Sequence, residues 1–224
     1  MRRGPGNREE LRGGVKAGLL GRRLELTAAV FRNERTNYRV PPTTRTARRA
    51  PGAGRTQPGG RRRAGPVGAI TPAWTIFANY TYLDGKVLQS ISNRDKAAGV
   101  VDPQAGSQLI QTPKHSGSLF TTYKLPFGLE VGYGLTYQGS FATNAPVLLN
   151  RTQYRVDDYL IHRAYLAYTI AQRWTLQLNV QNFTDEKYAT GVRNNVNATT
   201  GVVTGGWAIP GDRRQATLSL FTNF

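Results

Sequence analysis

The sequence contains no cysteine, which excludes a disulfide framework and thiolate metal sites. It also has no run of about eighteen apolar residues, which excludes a transmembrane helix. No apolar segment follows the basic start of the chain, so the sequence predicts no signal peptide. The two histidines, His115 and His162, lie far apart without carboxylates at ligand spacing, so we expect no bound metal or cofactor. No nucleophile and base can be paired, so the sequence predicts a protein that is not an enzyme.

Positive charge is concentrated in the front of the chain. The formal net charge is +17, and residues 1–65 hold 17 Lys/Arg against 4 Asp/Glu, so they account for +13 of it. An arginine-rich front could neutralise phosphates, which makes a basic nucleic-acid-binding β module an alternative function. The arginine-rich segment 41–66 contains no aromatic residue, however, and the later strands carry no basic stripe. We therefore expect no nucleic-acid partner.

The first 66 residues divide into three segments. Residues 1–14 are basic and show no periodicity, so they are predicted to be irregular. Residues 15–40 are predicted to form a hairpin of two strands, 15–20 and 24–39. Of residues 41–66, 25 of 26 are Pro, Gly, Arg, Ala or Thr, which cannot build an alternating strand or a core. This segment is predicted to be a disordered basic loop. Alternatively, it is the translation of a shifted reading frame, which has replaced the sequence of a strand.

Residues 67–224 show a period-two pattern that predicts strands with one apolar and one polar face. In the last strand Leu218, Leu220 and Phe224 share the apolar face. The predicted strands here are 74–83, 112–125, 129–141, 154–170, 174–183 and 212–224. Between them lie polar segments predicted to be loops, the longest being 84–110 and 184–211. With the upstream hairpin, the sequence predicts seven to eight strands.

Connection lengths indicate where such strands lie. Turns of about three residues alternate with connections of ten to almost thirty residues, and the polar faces are polar throughout. A soluble sandwich explains the alternating faces but not the alternating connections. The pattern favours an all-β fold, an antiparallel transmembrane β-barrel fragment with short periplasmic turns and long outer loops. Aromatic residues near strand ends are typical of its interfacial girdles: Trp74, Tyr82, Tyr123, Tyr137, Phe141, Tyr168 and Trp174.

Four motifs carry a family resemblance. They are Trp74-Thr-Ile-Phe-Ala-Asn-Tyr-Thr-Tyr-Leu-Asp84, Thr112-Pro-Lys-His-Ser116, Asn179-Val-Gln-Asn-Phe-Thr-Asp-Glu-Lys-Tyr188 and Pro210-Gly-Asp-Arg-Arg214. With them, residues 69–224 resemble the C-terminal part of a TonB-dependent outer-membrane receptor of the siderophore-receptor group. The last motif, with Trp207 ahead of it, most resembles receptors for catecholate siderophores. A small closed eight-stranded barrel remains an alternative if residues 41–66 are only a loop and the strand at 15–20 lengthens.

The resemblance implies function, location and partners. It implies uptake of ferric siderophore through a barrel in the outer membrane of a Gram-negative bacterium, in contact with outer-membrane lipid. It assigns Phe224, with Leu220 and Leu218, to the signal recognised by the barrel-assembly machinery, although Thr222 departs from the aromatic residue often found there. The family's plug domain and the contact box for the energy-coupling protein have no counterpart. We therefore expect a truncated receptor that does not transport alone.

Overall fold

The computed structural model of the chain describes residues 8–35 and 59–222. These ranges contain thirteen strands and one short helix. The strands are β1 (Arg8–Leu19), β2 (Leu24–Arg35), β3 (Gly59–Thr71), β4 (Trp74–Gly85), β5 (His115–Lys124), β6 (Leu129–Gln138), β7 (Phe141–Ala142), β8 (Arg155–Val156), β9 (Tyr159–Ile170), β10 (Trp174–Gln181), β11 (Ala189–Val196), β12 (Val203–Pro210) and β13 (Gln215–Thr222); the helix is α1 (Asn93–Ala97). Within these ranges, no helix has the length and apolar character that crossing a membrane requires.

Nine strands form one sheet in the order β1-β2-β3-β4-β5-β6-β9-β10-β13. Every neighbouring pair is antiparallel. The sheet therefore begins and ends on strands that run in the same direction. In the described part of the chain, β1 and β13 each pair on one side only, so the sheet is open. The remaining strands form two small sheets, β7-β8 and β11-β12.

Two distinct side-chain faces run across the nine-stranded sheet. On one face, Leu178 of β10 lies between Leu166 of β9 and Leu218 of β13. On the other face, the next residue, Asn179, lies opposite Thr217. The apolar face, as we name it, includes Leu24, Leu26, Trp74, Ile76, Leu119, Val131, Leu135, Leu166, Leu178 and Leu218, and the polar face includes Thr75, Asn79, Ser118, Glu130, Thr136, Arg163, Gln177, Asn179, Thr217 and Ser219. Leu218 is 66% exposed, so no described part of the chain covers the apolar face there.

Connection length differs between the two ends of the sheet. Residues 20–23, 72–73, 125–128 and 171–173 are short turns at one end. Residues 86–114, 139–158 and 182–214 make long connections at the other end. Gly128 shows why a turn of four residues works, since its φ of +83° is a conformation that favours glycine. The predicted alternation of short and long connections is confirmed.

The structure corrects the predicted disorder at residues 59–66. This stretch is the first part of β3 and pairs with β2 on one side and β4 on the other. Backbone hydrogen bonds to two neighbours hold it, so the strand does not need an apolar alternation of its own. Its small residues also permit close strand approach, because a Cβ at Gly65 would collide with the carbonyl oxygen of Ala78. Residues 41–58 lie outside the described residues, and the shifted reading frame stays a hypothesis.

The first strand is also longer than the sequence predicted. The irregular segment 1–14 was expected to precede it, but β1 begins at Arg8 and pairs with β2 along all twelve residues. Leu11, Gly13 and Val15 share the apolar face. Because Gly13 has no apolar side chain, the alternation of this strand cannot be recognised in the sequence. Residues 1–7 and 36–40 lie outside the described residues. Because β3 adds a ninth strand and the sheet stays open, the closed eight-stranded barrel is wrong.

Three further boundaries differ from the prediction. The strand expected at 154–170 breaks at Asp157 and Asp158, because β8 pairs with β7 rather than with the main sheet. The strands expected at 112–125 and 129–141 shorten to β5 and β6. The segment 184–211, predicted to be a loop, contains the hairpin β11–β12. In that hairpin Gly206 allows close pairing, since a Cβ there would collide with the Arg193 carbonyl oxygen.

A polar clasp closes the base of this hairpin. The Asn182 side chain is buried, and its Nδ2 donates to the carbonyl oxygens of Glu186 and Asp212 at 2.9 Å each. Asp185 accepts hydrogen bonds from Nε of Arg213 at 2.9 Å and from the backbone amide of Arg214 at 3.0 Å. The clasp ties residues 182–186 to residues 212–214, which precede β13. It gives a structural reason for the spacing of Asn and Asp in the motif that ends at residue 188.

The charge of Asp185 is stabilised by the clasp. The hydrogen bond from Arg213 and the amide of Arg214 hold the pKa of Asp185 well below its ordinary value. A carboxylate whose pKa is lowered by folding stabilises the fold above its unfolded pKa, which is about 4. That contribution is lost only as the pH falls below this value, toward the lowered pKa of the folded state.

We predict that Asp185→Asn loosens the hairpin, because a neutral amide cannot replace the charge-assisted bonds to Arg213. Amide hydrogen exchange should become faster in β11 and β12, while exchange in β5 and β6 should stay unchanged. In the unchanged chain the protection of β11 and β12 should be constant from neutral pH down to about pH 4 and should fall only in stronger acid. Equal exchange in the variant and the unchanged chain at neutral pH would contradict the clasp.

Candidate functional site at the long-loop end of the sheet

The long connections converge on the segment around β7. The Gln111 amide donates to the carbonyl oxygen of Ala142 at 2.8 Å, and the Asn194 amide of β11 donates to that of Thr143 at 3.0 Å. Phe141, Ala142, Thr143 and Asn144 are each at most 2% exposed, which makes this the most buried stretch of the described chain. Phe141 was predicted in an interfacial girdle. That prediction is wrong, because the ring is enclosed by the loops instead.

Side-chain amides hold these loops together. The backbone amide of Gln108 donates to Oε1 of Gln153 at 3.0 Å, and Nε2 of Gln153 donates to the carbonyl oxygen of Gln108 at 2.9 Å. Asn144 makes a similar pair of bonds with the backbone of Thr152 and Tyr154, at 2.8 Å each. These side chains satisfy backbone groups that no strand pairs, which is what a buried loop requires. The loops therefore form one connected platform.

Arg155 is exposed, but hydrogen bonds hold its side chain to the platform. Its Nη1 donates to Oε1 of Gln108 at 2.6 Å, and its Nη2 donates to the carbonyl and hydroxyl oxygens of Ser140 at 3.0 and 2.9 Å. Five donors in a fixed fork suit this bridging task. The guanidinium fixes the connection between β6 and β9 against the connection between β4 and β5.

A half-buried carboxylate, Asp102, orders the neighbouring loop. Burial by itself raises the pKa of Asp102. Hydrogen bonds from the hydroxyl and the amide of Ser90, and from the amide of Gln104, outweigh burial and hold this pKa below its ordinary value. Asp102 therefore stays ionised at neutral pH and shapes the loop that carries α1.

The hairpin β11–β12 rises beside the platform and presents an exposed aromatic ring. Trp207 is 45% exposed, and it lies opposite Arg193 on the neighbouring strand. The absence of a side chain at Gly191 gives the ring its place, since an added Cβ would lie 3.2 Å from it. The Arg193 side chain makes no hydrogen bond or ion pair with any described residue. An exposed ring beside a free guanidinium can stack on an aromatic ligand and attract an anionic one.

The residues singled out from the sequence do not gather at this platform. Leu218 and Leu220 lie on the apolar face, opposite Leu178 and Leu176. Phe224 lies outside the described residues, and the role of all three in barrel assembly stays a prediction.

Apart from Phe141 and Trp207, the other residues named from the sequence lie on the apolar face as well. His115 and His162 are there, each bonded through Nδ1 to a tyrosine hydroxyl at 2.6 Å. Trp74, Tyr123, Tyr168 and Trp174 lie near the short turns, and Tyr82 and Tyr137 lie near the long loops. In the described ranges no cluster of three His, Asp or Glu residues could hold a metal ion.

Comparison with known proteins gives the architecture its family. The family model of the TonB dependent receptor-like β-barrel matches residues 10–183. The chain is 33% identical over 182 residues to the probable TonB-dependent siderophore receptor PiuA of Acinetobacter baumannii, covering 79% of this chain and 23% of that protein. It is also 33% identical over 188 residues to the probable TonB-dependent receptor BfrD of Bordetella pertussis, covering 82% and 24%. The chain thus spans about a quarter of the length of these relatives.

Solved structures agree with the sequence matches. The crystal structure of the siderophore receptor PiuA from Acinetobacter baumannii superimposes with a TM-score of 0.74 at 27% identity, covering 95% of this chain and 28% of that one. The closed form of the ferric-catecholate import receptor Fiu from E. coli gives a TM-score of 0.73 at 24% identity, covering 97% and 27%, and supports the fold. Nine two-faced strands, the connection lengths and the family match lead to one conclusion: the chain belongs to the family of TonB-dependent receptor β-barrels.

Proposed function

We propose that this chain forms part of the barrel wall of an outer-membrane receptor for ferric siderophore uptake. The observation that carries the proposal is the match of nearly the whole chain to siderophore receptors, together with the connected loop platform at one end of the sheet. The platform is where a large ligand arriving from outside would first meet the protein. The proposal concerns a contribution to a larger receptor, since the chain spans about a quarter of its relatives.

The membrane placement follows from the two faces. The apolar face contacts the lipid hydrocarbon of the outer membrane, and the polar face lines the interior of the barrel. The short turns then face the periplasm and the platform faces the outside. Leu218, Leu220 and Phe224 present the C-terminal strand to the barrel-assembly machinery.

An open sheet cannot serve as a pore by itself. Unpaired backbone groups cost several kcal/mol each in hydrocarbon, so the free edges of β1 and β13 need further strands before transport is possible. The energy-coupling protein and the plug domain act in the full receptor. The arginines of the front segment do not favour the nucleic-acid alternative, because consecutive residues such as Arg62 and Arg63 point to opposite faces of β3.

The ligand class that suits the platform is an anionic aromatic complex such as a ferric catecholate. The long connections 86–114, 139–158 and 182–214 hold ten Lys/Arg against seven Asp/Glu. Trp207 and Arg193 add a ring and a free cation on the exposed hairpin. A relative in E. coli, 28% identical over 183 residues, carries the name catecholate siderophore receptor.

We predict that Leu178→Lys weakens the association of the chain with lipid vesicles. A lysine on the lipid face near the middle of a barrel strand costs roughly 2–4 kcal/mol. Flotation with vesicles and extraction by urea measure the bound fraction. The matched control is Asn179→Lys, one residue away on the polar face, which should change little. Equal losses in the two variants would contradict the assignment of the faces.

We also predict that a ferric tris-catecholate quenches the fluorescence of Trp207 in the vesicle-bound chain, with a saturable curve. Arg193→Gln should raise the half-saturating concentration by roughly tenfold, because bonds to a charged group contribute about 1.5–3 kcal/mol. Arg22→Gln, at the short-turn end, should leave it unchanged.

Replacing single tryptophans shows which ring gives the saturable quenching. Trp207→Phe should remove the saturable quenching, whereas Trp174→Phe should retain it because Trp174 lies at the opposite end of the sheet. Linear, unsaturable quenching in every variant would overturn the ligand assignment and leave the family assignment untouched.

A further inference from the structure

A row of three polar side chains crosses the apolar face at its long-loop end. Arg62 of β3 lies opposite Tyr82 of β4, and Tyr82 lies opposite His115 of β5. Directly opposed residues in neighbouring strands have Cβ atoms about 5 Å apart, so Arg62 and His115 flank Tyr82 at about 10 Å from each other. An arginine side chain can span much of that distance. The three side chains can therefore contact one small group placed over the Tyr82 ring.

Within the described ranges, the protein leaves donors of this row without partners. The Arg62 side chain is exposed and makes no hydrogen bond or ion pair with any described residue. By contrast, Arg32 on the neighbouring strand is paired with Glu34. The Tyr80 hydroxyl lies 2.6 Å from Nδ1 of His115, and when it donates there, Nε2 carries the remaining proton and faces away from Tyr80. Arg62 and Nε2 of His115 thus offer a cation and a hydrogen-bond donor.

The next row toward the middle of the strands sets the depth of this position. In this row Gly117 of β5 lies between Tyr80 of β4 and Tyr137 of β6, so the two tyrosine side chains are separated by a glycine. Tyrosines of this kind mark the boundary between hydrocarbon and headgroups. The row of Arg62, Tyr82 and His115 lies on the loop side of that boundary, where lipid headgroups would be.

We propose that Arg62, Tyr82 and His115 form a binding site for the phosphate of a membrane lipid on the outside of the barrel wall. The proposal rests on the membrane placement given above and adds a specific lipid contact to it. The carboxylate two residues beyond Tyr82, Asp84, does not oppose it. Asp84 lies 3.5 Å from Nζ of Lys86 and 3.8 Å from that of Lys114, so two cations balance its charge. Charge complementarity therefore selects a phosphate over a neutral headgroup.

The test uses the full chain in dodecyl maltoside micelles and counts bound lipids by native mass spectrometry. Dioctanoyl phosphatidate should saturate at one lipid per chain, and dioctanoylglycerol, which has the same acyl chains without phosphate, should bind far more weakly. Arg62→Gln should weaken phosphatidate binding about fivefold, since one basic residue near an anionic surface contributes about 1 kcal/mol. His115→Gln should also weaken it. Arg163→Gln, on the polar face, is the matched control and should leave binding unchanged.

Three outcomes would overturn the proposal. Equal binding of phosphatidate and diacylglycerol would show an apolar contact only. Equally tight binding of inorganic phosphate would show an anion site that does not need a lipid. An equal loss in Arg62→Gln and Arg163→Gln would show unspecific attraction to a basic chain. As a measurement that needs no variant, added salt should weaken phosphatidate binding and leave diacylglycerol binding unchanged. If the chain still associates with vesicles while these tests fail, the lipid-phosphate site is wrong and the membrane placement stands.

Discussion

Backbone hydrogen bonding is the constraint on which this structure depends. Hydrocarbon offers no partner for an N–H or C=O group, so a strand that crosses it must be paired on both sides. This explains why β3 is a strand although its composition is that of a loop: β2 and β4 supply its partners, and the side chains only need to fit. The same rule operates at the long-loop end, where the amides of Gln108, Asn144 and Gln153 replace missing strand neighbours.

Much of the main sheet could be predicted from the sequence because its faces differ in chemistry. In β6 and β10, leucine and valine alternate with polar or small residues, and the structure confirms both strands. Prediction failed where glycine or arginine occupied apolar positions. Gly13 interrupts the apolar side of β1, and Arg62 replaces an aliphatic residue in β3. In β11 and β12, Asn and Gly conceal a hairpin that is held by its own pairing and by the clasp at Asp185.

The candidate site was less accessible to prediction, because its contacts join distant parts of the sequence. Gln108 and Gln153 are 45 residues apart, and nothing local marks them as partners. In the sequence, Trp207 stands out only by its place ahead of a motif, and its pairing with Arg193 depends on the register of β11 and β12, which no local pattern indicates. The Asn and Asp of the family motif carried real structural information, although their task is to anchor a hairpin rather than to contact a ligand.

The number of strands in the main sheet restricts how a barrel can be completed. With nine strands, both free edges point the same way, so two copies of the sheet standing upright side by side would meet in parallel. A ring in which every neighbour is antiparallel has an even total, and nine becomes even only when an odd number is added. Two upright copies of this sheet therefore could not close an antiparallel ring, although their eighteen strands give an even total. Closure needs an odd number of added strands whose first and last members both run opposite to β1 and β13.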